Sequence, residues 1–261
     1  MARVIAIANQ KGGVGKTTTA VNLAACLAAA DLKTLLLDLD PQANATSGLG
    51  VRVDESAPTV YESLVDGVDL ADTLQPTELD SLVVAPASYE LVGAELELVN
   101  DEHRSFHLRN ALEATRDRFD YIVLDCPPSL GILTVNALSV ADSVIVPIQC
   151  EYLALEGLSR VLQTLDRVRD ALNPALELEG ILLTMVDPRM NLTRQVVADV
   201  REHFAGKVFE AEIPRNVRLG EAPSFGKPII LYDLRSAGAR AYLTLMREVV
   251  RNGKKGTRSR A

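Results

Sequence analysis

The chain has 261 residues, 48% of them hydrophobic, and a formal net charge of −8. That composition excludes a disordered or fibrous class and is enough for one large α/β domain with a substantial core. No apolar run approaches the roughly 18 residues of a membrane span, and Met1-Ala2-Arg3-Val4 leads straight into a strand pattern. No leader peptide and no membrane partner are therefore expected, and the expected location is cytoplasmic.

The first strand pattern covers residues 3–8 and runs into Gln10-Lys11-Gly12-Gly13-Val14-Gly15-Lys16-Thr17-Thr18. A helical pattern follows over 17–30. Strand, glycine-rich turn and helix start together make a phosphate cradle, because glycines let backbone N–H groups turn toward an anion and the helix N-terminus is partially positive. Lys16 is placed to reach β- and γ-phosphates, and the Thr17 hydroxyl to ligate Mg²⁺. A strict P-loop has glycine where this chain has Gln10, and this loop carries a second lysine, Lys11.

The second strand pattern, 34–39, runs into Asp38, Asp40 and Pro41-Gln42. Asp38 and Asp40 are two apart, so in extended chain they point the same way. Phosphate hydrolysis needs a group that holds the attacking water in line, and Asp40, in the loop beyond the strand, suits that role. Asp38 either supports the surroundings of the cation or caps a turn. Residues 48–80 form the least regular part and have room for short helices. A strand pattern covers 81–86, and helical patterns cover 90–100 and 105–118.

The apolar run 121–125 ends in Asp125, the Walker B position that would hold Mg²⁺ directly or through water. Helical patterns then cover 132–141, 155–172, 192–204 and 237–251, alternating with strand patterns 143–147, 179–185 and 208–213. Continuous apolar strands suit a sheet buried on both faces, so the expected fold is α/β, a doubly wound, mostly parallel sheet flanked by helices. One domain is expected over 1–251, and the basic segment 252–261 is expected to be disordered.

Cys26, Cys126 and Cys150 are far apart with no CxxC pair, which argues against a disulfide framework or a zinc site. Cys126 reads as packed rather than reactive. His103, His107 and His203 form no ligand motif. Residues 215–261 hold eleven Lys and Arg against three Asp and Glu, a local balance of +8 in a chain of −8. This describes either one basic face on an acidic body or a solvated helix with a basic tail.

With these motifs assembled, the chain resembles the ParA/Soj family of partition ATPases, within the deviant Walker A group that includes MinD. The resemblance rests on the loop Lys11 to Thr18, on Leu37-Asp38-Leu39-Asp40-Pro41-Gln42 with Asn44-Ala45-Thr46, and on Leu124-Asp125-Cys126-Pro127-Pro128-Ser129-Leu130-Gly131. It rests also on Ile213-Pro214-Arg215-Asn216-Val217-Arg218-Leu219 followed by Glu221-Ala222-Pro223-Ser224. It implies a P-loop NTPase fold of SIMIBI-like type, ATP and Mg²⁺ as cofactors, and a homodimer that sandwiches two ATP molecules. Lys11 would cross to the partner's phosphates, and adenine would lie near Met185, Asp187, Pro214, Arg215 and Asn216. Nonspecific double-stranded DNA would be held by Arg189 and Arg218, helped by Lys227, Arg247 and Arg251. A ParB-like partition protein would stimulate hydrolysis on the nucleoid.

The cradle begins within ten residues of Met1, so no helix-turn-helix segment is expected before it. Two other readings stay within the same superfamily. A MinD-like membrane-associated division ATPase would need a bulky apolar face near Asn252-Gly253-Lys254-Lys255-Gly256, and an iron–sulfur carrier would need suitably placed cysteines.

Overall fold

The computed structural model describes residues 2–54, 56–152 and 154–259, with side chains described up to Gly253. The seven apolar runs of the sequence all become strands of one sheet. In chain order the strands are β1 (Arg3–Ile7), β2 (Thr34–Asp38), β3 (Gln75–Pro76), β4 (Leu82–Ala85), β5 (Tyr121–Asp125), β6 (Ser143–Gln149), β7 (Glu177–Val186) and β8 (Val208–Pro214). The order across the sheet is β3-β4-β2-β5-β1-β6-β7-β8. Every pairing is parallel except that of β3 with β4, a two-residue antiparallel edge that the sequence patterns do not reveal.

Strand residues alternate between the two faces, as a period of two requires. Val4, Ala6, Leu35 and Leu37 join one core, and Ile5, Ile7 and Leu36 join the other. The first core is roofed by α3 (Val60–Val65), α5 (Leu91–Glu97), α6 (His107–Glu113), α7 (Ile132–Val140), α8 (Ala154–Ala171) and α9 (Asn191–His203); α4 (Leu70–Thr73) contributes Leu70. The second is roofed by α1 (Lys16–Ala28), α2 (Asn44–Gly48), α10 (Val217–Glu221), α11 (Ile229–Tyr232) and α12 (Ala237–Ser259). The doubly wound architecture expected from the sequence is thus observed.

Register decides what meets at the carboxyl ends of the strands. Ile7 pairs with Asp125, and Asp125 pairs with Asp38. The glycine-rich loop after β1 therefore lies beside two acidic strand ends. The chain crosses from β1 to β2 on one side of the sheet, while β6 lies on the other side of β1. This is a topological switch point, where a parallel sheet opens a crevice for ligand.

The last helix is anchored at both ends. Near its start, Tyr242 Oη lies 3.3 Å from Thr19 Oγ1 of α1. Further on, the buried Glu248 carboxylate accepts the backbone N–H groups of Glu210 and Ala211 in β8, at 2.8 and 2.7 Å. The helix also continues past Arg251 to Ser259, so residues 252–259, expected as a disordered tail, are helical. Two contacts explain the start of this extension. Asn252 Nδ2 donates to Glu179 Oε1 at 3.4 Å, and Gly253 lies against the Arg3 guanidinium and the Tyr121 hydroxyl. Lysine and arginine are themselves good helix formers. The side chains of Lys254, Lys255, Arg258 and Arg260 lie outside the described residues.

Gly180 in β7 faces the buried Phe209 ring so closely that an added Cβ would sit 2.6 Å from Phe209 Cε2. Gly180→Ala is expected to lower folding stability by about 1–3 kcal/mol through overpacking. The urea midpoint should fall with an unchanged slope; an unchanged midpoint would show that the ring can move aside.

Candidate functional site

The loop between β1 and α1 is shaped by two left-handed glycines, Gly13 (φ 75) and Gly15 (φ 88). Gly15 is also the residue from which α1 starts. An L side chain is strained in this conformation, which explains glycine at both positions. The loop is braced from β6 and β7. Asn9 Nδ2 donates to Pro147 O at 2.7 Å, and Thr184 Oγ1 lies 2.9 Å from Val14 O and 3.0 Å from Ile148 O. Gln10, which stands where a strict P-loop has glycine, reaches Thr164 of α8 at 3.2 Å.

The two lysines of the loop diverge. Lys16 is buried, and its Nζ donates to Lys11 O across the inside of the loop at 3.2 Å. Burial lowers its pKa, while Asp125, Cys126 and Asp40 oppose that shift. Lys11 turns outward with its side chain 51% exposed, and pairs with Glu151 at 2.6 Å. Glu151 follows β6, and sequence reasoning did not single it out.

Asp125 is fully buried, and neither carboxylate oxygen has a full hydrogen-bond partner. Its pKa is raised well above the usual carboxylate range, first by burial and then by Asp38; the nearby Thr17 hydroxyl favours the charged form, Asp40 opposes it, and Lys16 favours it. A buried carboxylate with orphaned oxygens beside a hydroxyl and an ammonium fits a divalent cation, and Thr17 with Asp125 could hold one.

Asp38 has a different role. Its carboxylate accepts the N–H of Asp40 at 3.1 Å, the N–H of Thr46 at 2.9 Å and the Thr46 hydroxyl at 2.8 Å. Thr46 Oγ1 in turn accepts the N–H of Ala87 at 3.2 Å. Of the two roles left open for Asp38, turn capping is the one observed: it ties the loop after β2 to the end of β4. Burial still pushes its pKa up to about 6, against the hydrogen bonds from Thr46 and Asp40. Asp40 is nearly buried beyond the strand end, with one oxygen accepting Gln42 N–H at 3.0 Å.

On the other side of the loop lies a cavity of about 210 Å³. Gly15, Thr18, Met185, Pro214, Arg215 and Asn216 line it, with Thr184, Ile213, Leu219, Gly220 and Tyr242. Met185, Pro214, Arg215 and Asn216 are thus assembled around one mostly apolar space beside the cradle, suited to a flat heterocycle. Met185 is held with φ 52, a strain that no residue pattern reveals. Asp187 does not line this space. It is pinned by Arg189, whose N–H, Nε and Nη2 reach its carboxylate at 3.1, 2.8 and 2.7 Å, holding its pKa down to about 2.

The five expected DNA-contacting cations do not form one continuous face. Arg189 and Arg218 lie beyond the carboxyl ends of β7 and β8, and Arg218 pairs with Glu221 at 2.9 Å. Lys227 reaches Glu78 beside β3 at 3.1 Å. Arg247 and Arg251 lie far along α12, where Arg251 is 3.8 Å from Glu210. The cause is the length and direction of α12, which runs from the ligand end of the sheet to its opposite end. Exposed pairs such as these are worth only about 0–1 kcal/mol, so a phosphate can displace the acid.

Comparisons with known proteins agree with this geometry. A family model described as an AAA domain matches residues 2–178. The chromosome partitioning protein ParA of Myxococcus xanthus is 58% identical over 249 residues, covering 95% of this chain and 88% of that protein. The sporulation initiation inhibitor protein Soj of Bacillus subtilis is 56% identical over 253 residues, covering 97% and 100%. A crystal structure of cobyrinic acid a,c-diamide synthase from Mycobacterium smegmatis, with bound ADP and magnesium, superposes with a TM-score of 0.86 at 38% identity, covering 98% and 97%.

A carboxyl whose folded pKa is raised destabilises the fold when ionised. That penalty is absent below its unfolded value near 4 and grows as pH rises, for Asp38 through about 6. Asp125→Asn removes one of the two buried charges. The melting temperature of the ligand-free variant at pH 7.5 should exceed that of the parent, by about 2–4 °C for each kcal/mol relieved. The gain should shrink at pH 5. An equal gain at both pH values would show that charge burial is not its source.

Proposed function

The chain belongs to the family of ParA and Soj partition ATPases, and from that premise we propose that it segregates DNA by an ATP-gated dimer cycle. It is a P-loop ATPase that uses ATP and Mg²⁺. In the proposed cycle, two copies close around two ATP molecules and bind double-stranded DNA without reading its sequence. A ParB-like partner stimulates hydrolysis, which releases the DNA. The protein works in the cytoplasm, on the nucleoid.

The observation that carries this reading is the divergence of the two loop lysines. Lys16 lies inside its own cradle, where it neutralises phosphate charge as the amides of Gly12, Gly13, Val14 and Gly15 and the start of α1 close around the anion. Lys11 points away from that cradle and is half exposed, so its ammonium is free to meet phosphate supplied from outside the subunit. Breaking its exposed pair with Glu151 costs little. Thr17 and Asp125 would hold Mg²⁺, which would supply positive charge to neutralise that of the phosphates. Asp40 keeps one carboxylate oxygen clear of Gln42 and orients the attacking water. The cavity at Met185, Pro214, Arg215 and Asn216 takes the base.

Specific observations favour this reading over its neighbours. Tyr242, Leu245, Met246 and Val249 of α12 are buried in the core, so the apolar face of this stretch is committed to the fold rather than to a lipid surface. Cys26, Cys126 and Cys150 are all buried, and burial raises each thiol pKa, which disfavours the thiolate an iron–sulfur cluster needs. The synthase named in the Mycobacterium smegmatis structure is matched at 38% identity, against 58% and 56% for the partition proteins.

The cross-subunit role is tested by light scattering with ATP and Mg²⁺. Two charged contacts of about 1.5–3 kcal/mol each are lost per dimer in Lys11→Ala. The dimer should weaken about 100- to 10,000-fold while monomer ATP binding is largely kept. Lys16→Ala should instead lose nucleotide binding. A Lys11→Ala protein that dimerises normally would refute the role of Lys11.

Arg218→Ala and Arg189→Ala are each expected to lower affinity for all DNA sequences alike. Each should reduce the slope of log affinity against log salt by about 1, or by about 2 if both subunits of the dimer touch DNA. Truncation after Arg251 is the control. Binding abolished by truncation but unaffected by both arginine changes would assign the affinity to residues 252–261.

A further inference from the structure

Arg189 reaches solvent from a tight turn between β7 and α9. β7 ends at Val186, and the Met190 N–H donates to Asp187 O at 3.1 Å, closing a turn over residues 187–190. The Asp187 carboxylate braces the same turn by accepting the Arg189 N–H at 3.1 Å. An aspartate that bonds the backbone two residues on fixes the local chain direction. The point from which the Arg189 side chain departs is therefore set by Asp187.

The guanidinium then folds back on that carboxylate. Nε donates to Asp187 Oδ1 at 2.8 Å and Nη2 to Oδ2 at 2.7 Å. The partners differ sharply in exposure, 12% for the Asp187 side chain and 86% for that of Arg189. The anion is seated in the protein and the cation stands in water. Arg215 adds a second positive charge near the carboxylate. A guanidinium has five N–H donors in one plane, and Asp187 takes two of them, on the Nε side. Nη1 and the outer N–H of Nη2 point away from the carboxylate. A phosphate can meet that end of the fork without displacing the acid.

Arg218 is arranged differently. Its Nη1 donates to Glu221 at 2.9 Å, and its Nε lies 3.7 Å from Asp233 Oδ2. Glu221 is itself held by the Tyr232 hydroxyl at 3.0 Å. Acids thus face both edges of this guanidinium, and a phosphate approaching it competes with a carboxylate. The two arginines carry neighbouring acids with opposite consequences, one leaving the cation open and one covering it.

We propose that Asp187 is a positioning residue for DNA, which grips Arg189 side-on so that the free end of its guanidinium is presented to a backbone phosphate. An arginine free in solvent loses rotamer freedom when it binds, and one already held loses less. A carboxylate beside DNA repels it, so on charge alone Asp187 would weaken binding. The orientation it imposes on Arg189 outweighs that repulsion. The pairing stands on this geometry alone, whereas its effect on DNA rests on the partition reading.

The test uses the full chain with ATP and Mg²⁺ and a fluorescein-labelled DNA duplex of random sequence, with anisotropy read over a range of salt. Asp187→Asn keeps an acceptor for the Arg189 N–H but turns an amide NH₂ toward Nη2, so the turn stays and the fork is lost. DNA affinity should fall at least about threefold, although each subunit becomes more positive. The slope of log affinity against log salt should drop by about 1, or by about 2 if both subunits touch DNA, as expected for Arg189→Ala. Asp187→Ser, whose hydroxyl also braces such a turn, should behave alike and serves if the Asn variant melts early. Adding Asp187→Asn to Arg189→Ala should weaken binding no further. Glu221→Gln, which removes the same charge beside Arg218, should instead tighten binding. Without DNA, NMR of isotope-labelled protein should show a slowly exchanging Arg189 Nε–H that disappears in Asp187→Asn. Tighter DNA binding by Asp187→Asn, or equal shifts in Asp187→Asn and Glu221→Gln, overturns the positioning role, because net charge then accounts for both. An Arg189 signal that is the same in parent and variant overturns the pairing. A parent that binds no DNA overturns the partition reading and the DNA role together, while the arginine signal judges the pairing separately.

Discussion

Asp38 and Asp125 sit side by side at the carboxyl ends of β2 and β5, in register and out of reach of water. Two carboxylates in such a place repel each other and both lose hydration, so each must be compensated or protonated. The chain treats them differently. Asp38 receives three hydrogen bonds from the loop that follows it. Asp125 receives no full hydrogen bond and faces Lys16 and Thr17. A cation beside Asp125 would relieve that repulsion, while the hydrogen bonds to Asp38 organise the loop after β2. An unliganded fold carrying this tension trades stability for affinity.

The same arrangement links regions that are distant in sequence. Asp38 holds Thr46, and Thr46 holds Ala87, immediately before the turn into α5. From α5, Glu95 reaches Gly131, beyond Asp125. The two loops that flank the acidic strand ends are therefore joined by a chain of contacts that runs through one short helix. Lys11 and Glu151 add the loop after β6 to this set.

Much of this was legible in the sequence, for physical reasons. Strands buried on both faces must be apolar throughout, so all seven long strands stand out as runs such as residues 121–125 and 143–147. The cradle is legible because only glycine tolerates the left-handed turns at positions 13 and 15, and because Lys16 and Thr17 stand at a helix start. What stayed hidden depends on partners distant in sequence. Nothing near Glu151 signals that it meets Lys11, and nothing near Thr46 signals that it saturates Asp38. The left-handed Met185 is a backbone property without a residue signature. Asp187 is placed near the base only by the family resemblance; its carboxylate is bound by Arg189, two residues on, and does not line the cavity. The helix end at Arg251 was misplaced because its continuation is fixed by contacts with Glu179, Arg3 and Tyr121 rather than by local pattern.

The two outer strands of the sheet have a consequence for assembly. An open strand edge with free N–H groups is a template on which another chain can add a strand. At one edge, the Glu248 carboxylate takes two successive N–H groups of β8. At the other, β3 is two residues long and ends in Pro76, which has no N–H to offer. Both edges are blunted, one by a helix and one by a proline. Copies of this chain brought close together can therefore meet through helix faces and loops, but not through backbone ladders that would lock them into a fibre.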